Sequence, residues 1–282
     1  MMRRVASLVC GLLLAGFVAG AAGEPLPVAV SVAPQAELVD RVGGDLVAVQ
    51  VAVPAGASPH GFELTPRQVA ELSRVRLYVA TGVEVELPLL PRLRALRPDL
   101  MVIGPAAGAE PPDHAHDDPH RWLDPRLAAE QVREIAAALC RLDPDHADVY
   151  EARAAAELVV LDDLYDDLAA ILAPVRGRDM VVAHPAFGHL AEAFGLVQVA
   201  VEQDGHQPTP RQLELVLERV RRRGSHALFV QPQFPRAAAE RLAAAAGVEL
   251  VVLDPLAGNY AENLRDMAVT IARVLMDPAA GP

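Results

Sequence analysis

The strongest constraint on the fold is an alternation of short, valine-rich apolar runs with stretches of amphipathic helical pattern. Apolar runs joined by helices are typical of parallel strands that are buried on both faces. Four strands are predicted in the first half of the chain, at Val28–Val32, Leu46–Val53, Arg76–Ala80 and Leu100–Ile103. Four more are predicted in the second half, at Met180–Ala183, Val197–Val201, His226–Val230 and Leu250–Leu253. The pattern therefore predicts an α/β protein with two βα sandwich domains and mostly parallel sheets.

A long helix is predicted between the two halves. The run from Asp145 to about Leu172 contains neither Gly nor Pro, and a helix of that extent would span roughly 40 Å. Asp143 precedes Pro144, and this pair is predicted to cap the start of the helix. We therefore divide the chain into a first domain at residues 24–142, a linking helix at 143–174 and a second domain at 175–282.

The first residues have the pattern of a secretory signal. Arg3 and Arg4 precede an apolar run from Val5 to Val18, and small residues suited to cleavage follow near Gly23. The apolar run is shorter than the ~20 residues that a membrane span needs. Residues 1–23 are therefore predicted to be a cleaved signal peptide, and the mature protein is expected to be exported.

The charge of the chain argues against binding to nucleic acid, and its cysteine content excludes a disulfide within the mature chain. The full chain has a formal net charge of −12, which disfavours binding to nucleic acid because both partners are negative. Cys140 is the only cysteine after the predicted signal, so an intramolecular disulfide is excluded. We expect Cys140 to be a small buried apolar residue of a helix.

Four potential metal ligands lie after predicted strands, at the carboxyl ends where doubly wound α/β folds bind ligands. His60 and His120 lie in the loops after the second and fourth strands, while His184 and Asp254 directly follow the fifth and eighth. Three imidazoles and one carboxylate suit Zn²⁺, which prefers four ligands in tetrahedral geometry. Each imidazole must be neutral to bind, so such a site weakens in acid.

The stretch DDPHRWLDP, from Asp117 to Pro125, surrounds His120 and contains the only tryptophan of the chain, Trp122. Trp122 either fills a gap in the core or forms the scaffold of His120. Asp124 is predicted to cap the helix that begins near Pro125 rather than to bind metal.

Two further interpretations stay open at this point. His114 and His116, in the loop PPDHAHDD, form either an accessory tract that captures metal loosely or part of a flexible polar loop. A secreted zinc hydrolase would need an open coordination position and a general base such as Glu63 or Glu202. The chain contains no H-E-x-x-H, G-x-S-x-G or C-x-x-C motif and no Gly-rich phosphate loop, so catalysis is not favoured.

Five motifs together resemble the metal-specific substrate-binding proteins of bacterial ABC importers, the zinc and manganese group. ASPHGFELTPRQ surrounds His60, DPHRWLDP surrounds His120, and AHPAFGHLAEAFG surrounds His184. EQDGHQPTPRQL follows, and LDPLAGNYAENLRDMA contains Asp254. The motifs occur in the order in which the family has them, and the resemblance covers essentially the whole mature chain.

The resemblance implies a monomeric, non-catalytic receptor of the periplasm or another extracytoplasmic space. It would hold one metal ion in the cleft between two domains joined by a rigid helix, and deliver it to a membrane permease that works with an ATPase. A metallochaperone that loads the site is an additional partner to consider.

The choice of metal also follows from the resemblance. Zinc members carry His at the position of His184, whereas manganese members typically carry Glu, so Zn²⁺ is expected and Mn²⁺ is the alternative. Two departures stand out. The histidine-rich loop of many zinc members is reduced to His114 and His116, and His189 stands where the family often has an aromatic residue, which leaves a tuning role for His189 open.

Overall fold

The computed structural model describes residues 24–105, 118–202 and 225–276, together with positions 211, 214, 218–220 and 222. The predicted signal peptide, His114 and His116 lie outside the described residues. Within the described ranges, none of the helices combines the length and the apolar composition that crossing a membrane requires.

The first half contains a parallel four-stranded sheet with strand order β2-β1-β3-β4. Its strands are β1 (Leu26–Val30), β2 (Val47–Val51), β3 (Leu77–Val79) and β4 (Met101–Ile103). All four agree with the predicted strands to within a few residues at their ends. β1 is central and pairs with β2 and β3, so that Val30 is matched to Val51 on one side and Val79 on the other.

The second half repeats this arrangement in a separate sheet with strand order β6-β5-β7-β8. Its strands are β5 (Asp179–Val182), β6 (Val197–Ala200), β7 (Ala227–Val230) and β8 (Glu249–Val252), all of them parallel. The prediction of two parallel sheets is confirmed.

The helices follow the predicted order. The first half has α1 (Ala33–Gly43), α2 (Pro66–Leu72), α3 (Glu86–Leu96) and α4 (Pro125–Leu142). The long helix α5 (Ala147–Leu172) comes next, and the second half has α6 (Gly188–Phe194), α7 (Arg236–Ala246) and α8 (Tyr260–Met276). Most of the helix predicted at 210–222 lies outside the described residues.

Helices cover both faces of each sheet. Because alternate strand residues point to opposite faces, each strand packs against helices on both sides. Val28 and Val30 of β1 pack toward α1, α4 and α5, whereas Ala29 packs toward α2 and α3 on the other face. The inner core runs without interruption through α5 to the second sheet, where it includes Met180 and Val182 of β5. The long helix therefore shares one hydrophobic core with both sheets.

The two predicted helix caps have different outcomes. Asp124 caps α4 as expected, because its Oδ1 accepts a hydrogen bond from the backbone N–H of Arg126 at 2.9 Å. The predicted cap of the long helix at Asp143 is wrong, since α5 begins only at Ala147 after a short 3-10 turn. The carboxylate of Asp143 instead accepts from the hydroxyl of Tyr150 at 2.7 Å.

Gly104, directly after β4, is required by a close approach of the backbone. Its φ is +92°, and a Cβ atom there would lie 2.2 Å from the carbonyl oxygen of Ala80. Gly56 also has positive φ, at +81°, but a Cβ there would meet nothing within 4 Å. Alanine substitutions at Gly104 and Gly56 therefore distinguish the cost of backbone strain from the cost of a steric clash.

We expect Gly104→Ala to lower the free energy of unfolding by about 3 kcal/mol, because strain and a backbone clash add. Gly56→Ala should cost only the strain, about 1 kcal/mol. Urea unfolding of the two variants measures the difference. Equal losses for both would show that the approach to Ala80 is unimportant.

Candidate metal centre

Three histidines from both halves of the molecule meet at the carboxyl ends of the strands. His60 lies in the loop between β2 and α2, His120 just before α4, and His184 directly after β5. One potential ligand atom from each of them lies within 4.8 Å of the others. Among the described residues, this is the one such group of His, Cys, Asp and Glu side chains.

The imidazole rings are packed against one another. Their centroids are 4.5 Å apart for His60 and His184, 5.6 Å for His120 and His184, and 5.9 Å for His60 and His120. The side chain of His120 is 5% exposed, that of His184 14% and that of His60 28%. Three rings this close are arranged to share one small ligand.

Each histidine has a carboxylate beside its Nδ1 atom. The Nδ1 of His120 is 2.6 Å from an oxygen of Asp118, and that of His184 is 2.9 Å from an oxygen of Glu202. The Nδ1 of His60 is 3.6 Å from an oxygen of Glu84. A carboxylate at Nδ1 keeps the proton on that atom, which leaves the lone pair of Nε2 available to a metal.

Two of the Nε2 atoms are buried without a partner. Among the described residues, no group bonds the Nε2 of His60 or of His184. A buried polar atom without a hydrogen bond is costly, so such an atom calls for an explanation. A cation held by these nitrogens supplies the missing interaction.

The environment of His60 and His120 favours their neutral forms. Burial, followed by the neighbouring imidazoles of His184 and His120, lowers the pKa of His60 to about 4. Burial also lowers the pKa of His120, although Asp118 opposes the shift. Burial alone would raise the pKa of Asp118, but its hydrogen bond and charge interaction with His120 lower it. A neutral imidazole beside an ionised carboxylate is the protonation state that binds metal.

The histidines line a cleft with a volume of about 390 Å³. Its wall on the first-half side includes Ser58, Pro59 and Glu84, and its wall on the second-half side includes Glu202, Gln231, Gln233, Phe234, Pro255 and Leu256. The cleft therefore lies between the two sheets, and residues of both halves form it.

Asp254 is not part of the histidine group. It follows β8, as predicted, but its Oδ1 accepts hydrogen bonds from the side chain of Gln233 at 3.2 Å and from the backbone N–H of Leu256 at 3.0 Å. Its neighbours Pro255 and Leu256 line the cleft. The structure thus brings together three of the four residues predicted as ligands, with the fourth at the edge of the cleft.

The remaining candidates occupy other places. Glu63 is exposed and is not one of the residues that line the cleft. Glu202 lines the cleft, but it faces the Nδ1 of His184 rather than the Nε2 side where a metal-bound water would lie. Neither is placed as a general base. His189 bonds through Nε2 to the backbone carbonyl of Asp118 at 2.8 Å, and so contacts the segment that carries His120.

The carboxylates beside the histidines were not predicted as their partners. Their positions in the sequence could have indicated two of them. Asp118 lies two positions before the predicted ligand His120, and Glu202 follows the end of β6. Glu84 lies between β3 and α3, and we find no pattern in the sequence that marks it.

A buried polar network holds the loop between β3 and α3. The carboxylate of Glu86, 2% exposed, accepts bonds from the hydroxyl of Ser31 and from the backbone N–H groups of Thr81 at 2.8 Å and Gly82 at 2.9 Å. The hydroxyl of Thr81 donates in turn to the carbonyl of Pro119, next to His120, at 2.8 Å. The same loop carries Glu84, so it contacts the surroundings of both first-half histidines.

Taken together, two parallel-sheet halves joined through a long helix, with a three-histidine cleft between them, define a two-domain α/β binding protein with a candidate metal centre. The family model described as "Zinc-uptake complex component A periplasmic" matches residues 28–274. The chain therefore belongs to this family.

Several relatives agree with this assignment. The high-affinity zinc uptake system protein ZnuA of Paracoccus denitrificans is 29% identical, over 97% of this chain and 99% of the relative. The manganese-binding lipoprotein MntA of Halalkalibacterium halodurans is 28% identical, over 87% of this chain and 85% of its own. A crystal structure of ZnuA superimposes with a TM-score of 0.82 at 36% identity, covering 89% of this chain and 99% of that one.

The lowered pKa of His60 predicts how the stability of the metal-free protein depends on pH. The unfolded chain takes up this proton near the ordinary value of 6.5, and the folded chain only near 4. The unfolded state therefore binds more protons in this interval, and stability is lost as the pH falls through it. We expect the free energy of unfolding to decrease from pH 6.5 to 4 less steeply in His60→Gln than in the wild type. Parallel curves from urea unfolding would contradict the pKa shift.

A second prediction concerns Glu86. Glu86→Gln replaces an acceptor oxygen by an amide NH₂, which leaves a buried backbone donor unsatisfied, and should lower the free energy of unfolding by about 2 kcal/mol. The control Glu130→Gln removes an exposed ion pair with Arg121 and should cost less than about 1 kcal/mol. Chemical unfolding at neutral pH compares them, and an equal effect would show that the network does not brace this loop.

Proposed function

We propose that the protein is an extracytoplasmic zinc-binding receptor that delivers Zn²⁺ to an ABC-type membrane importer. The observation that carries this proposal is the convergence of His60, His120 and His184, where the Nε2 atoms of His60 and His184 are buried and have no hydrogen-bond partner in the part of the chain that the structure describes. Membership in a zinc-uptake family supports it.

The proposed ligands are His60, His120, His184 and Asp254. Zn²⁺ binds imidazole nitrogen at about 2.0–2.1 Å and favours four ligands in tetrahedral geometry. The closely packed imidazoles supply three nitrogens, and the fourth position takes either a carboxylate oxygen of Asp254 or water from the cleft. Asp254 reaches the metal by exchanging its bond to Gln233 for one to the ion.

The proposal includes the surroundings in which the receptor works. Residues 1–23 act as a cleaved signal, so the mature chain lies outside the cytoplasm. Its partners are the permease and the ATPase of the importer, and it works as a monomer. We retain the domain division at residues 24–142, 143–174 and 175–282, because each sheet lies within one of the outer segments and α5 within the middle one.

The roles of the loop histidines and of a chaperone belong to the same proposal. His114 and His116 are two histidines of a short tract before His120, and we propose that they act as an accessory tract that captures metal loosely. Loading by a metallochaperone is the alternative route of entry.

Manganese is the second candidate ligand, since a relative at 28% identity is named as a manganese-binding lipoprotein. Mn²⁺ favours oxygen ligands and octahedral coordination, whereas the group described here offers three nitrogens. The donor set thus favours Zn²⁺. Zn²⁺ outcompetes Mn²⁺ at most sites, so the coordination number, rather than competition in solution, distinguishes the two candidates.

We expect the mature protein, freed of metal, to bind about one Zn²⁺ per chain at neutral pH. His60→Ala, His120→Ala and His184→Ala should each weaken binding by more than the roughly 10–100-fold typical of an outer partner. Asp254→Ala should weaken it less, because water can enter the vacated position. Isothermal titration calorimetry measures each value.

His146→Ala is the matched control, since His146 is a half-exposed histidine that pairs with Asp143 at the start of α5. Its affinity for zinc should equal that of the wild type. The ligand assignment fails if the three histidine variants bind as well as this control. The ranking fails if Asp254→Ala loses more affinity than they do.

A further inference from the structure

The segment that carries His120 belongs to the first half by sequence, but side chains of the second half hold it on two sides. On one side, His189 of α6 donates from Nε2 to the backbone carbonyl of Asp118 at 2.8 Å. On the other side, the turn between β8 and α8 contacts Trp122. His120 lies between these two contacts.

Trp122 and the turn after β8 are joined reciprocally. The indole Nε1 of Trp122 donates to the carbonyl of Pro255 at 2.7 Å, and the hydroxyl of Tyr260 donates to the carbonyl of Trp122 at 2.6 Å. As whole residues, Trp122 and Tyr260 are only 2% and 3% exposed. Water cannot readily replace either bond, so each is worth more than a bond at the surface.

The turn that receives Trp122 is itself fixed. Tyr260 is the first residue of α8, and its backbone N–H donates to the carboxylate of Glu37 on α1 at 2.6 Å. A carboxylate at a helix N-terminus is favourable because it faces the positive end of the helix dipole. From the first part of α8, the side chain of Asn263 donates to the carbonyl of Asp254 in the turn at 2.9 Å.

Trp122 also contacts the candidate ligand directly. The rings of Trp122 and His120 meet edge to face, with centroids 5.2 Å apart. The indole therefore joins the ring of His120 to Pro255, the neighbour of Asp254.

Burial raises the pKa of Tyr260 far above its ordinary range, so its hydroxyl keeps its proton at neutral pH and can donate to the carbonyl of Trp122.

We propose that Trp122 and Tyr260 are positioning residues of the metal site. They hold the His120 segment at a fixed spacing from the Asp254 turn whether or not metal is bound, and this spacing slows the release of the ion. The part of the inference that concerns metal rests on the proposed function. The junction itself does not, because none of its hydrogen bonds involves an atom proposed to bind metal.

The first arm of the test uses the metal-free protein. Trp122 is the only tryptophan, so its fluorescence reports on the junction without a label. Acrylamide should quench the wild type weakly, and Tyr260→Phe should raise the quenching constant by about twofold or more by permitting local opening. The matched control is Tyr165→Phe, which removes a hydroxyl bonded to the carbonyl of Ala193 on α6, and it should behave as the wild type.

The second arm measures zinc release into an excess of chelator by stopped flow. Tyr260→Phe and Trp122→Phe should each raise the dissociation rate about tenfold. The double variant should not exceed the larger single effect, because both bonds join the same two segments. Trp122→Phe keeps a ring beside His120 but removes both the N–H group and buried volume, whereas Tyr260→Phe removes one hydroxyl, so Tyr260→Phe is the more specific variant.

The two arms test the junction and its role in metal binding separately. If acrylamide quenches Trp122 of the metal-free wild type as strongly as an exposed tryptophan, the junction is overturned, even if the protein binds zinc. Release rates within about twofold of the wild type for both single variants, or an equal effect of Tyr165→Phe, overturn the positioning role. If the wild type binds no zinc, the proposed function fails, and the quenching arm alone decides the junction.

Discussion

A buried imidazole nitrogen without a partner raises the free energy of the folded state, and the described part of this molecule has two of them on neighbouring rings. The Nε2 atoms of His60 and His184 have no partner among the described residues, although carboxylates stand beside their Nδ1 atoms. The chain thus supplies proton acceptors on the outer side of the rings and withholds them on the inner side. That asymmetry converts a packed group of histidines into a group prepared for a cation.

The parallel sheets explain how residues far apart in the chain reach one point. In each half the strands run in the same direction, so the loops at their carboxyl ends gather on one edge. The continuous core through α5 keeps the two edges facing each other. His60 comes from one sheet and His184 from the other, and the segment of His120 contacts both halves through Thr81 and Tyr260.

The fold and the convergence of His60, His120 and His184 could be predicted, because both depend on features that are local in sequence. Valine-rich runs mark the strands, and His184 directly follows one of them. Asp254 met the same criterion, yet it lies outside the histidine group, because its carboxylate bonds to Gln233 and Leu256. The direction of a side chain depends on tertiary contacts that strand position does not encode.

The contacts around the site were harder to predict for the same reason. The pairing of Glu84 with His60 and the bond from Trp122 to Pro255 join distant segments. The misplaced cap at Asp143 has a local cause, since the residues after it form a 3-10 turn before α5 begins.

X-ray absorption at the zinc edge of the one-to-one complex is the most direct test of the proposed centre. We expect a first shell of four light atoms at about 2.0–2.1 Å, with the outer-shell scattering of three imidazole rings. A shell of six oxygens, or scattering from fewer than three imidazoles, would contradict a zinc site built on His60, His120 and His184.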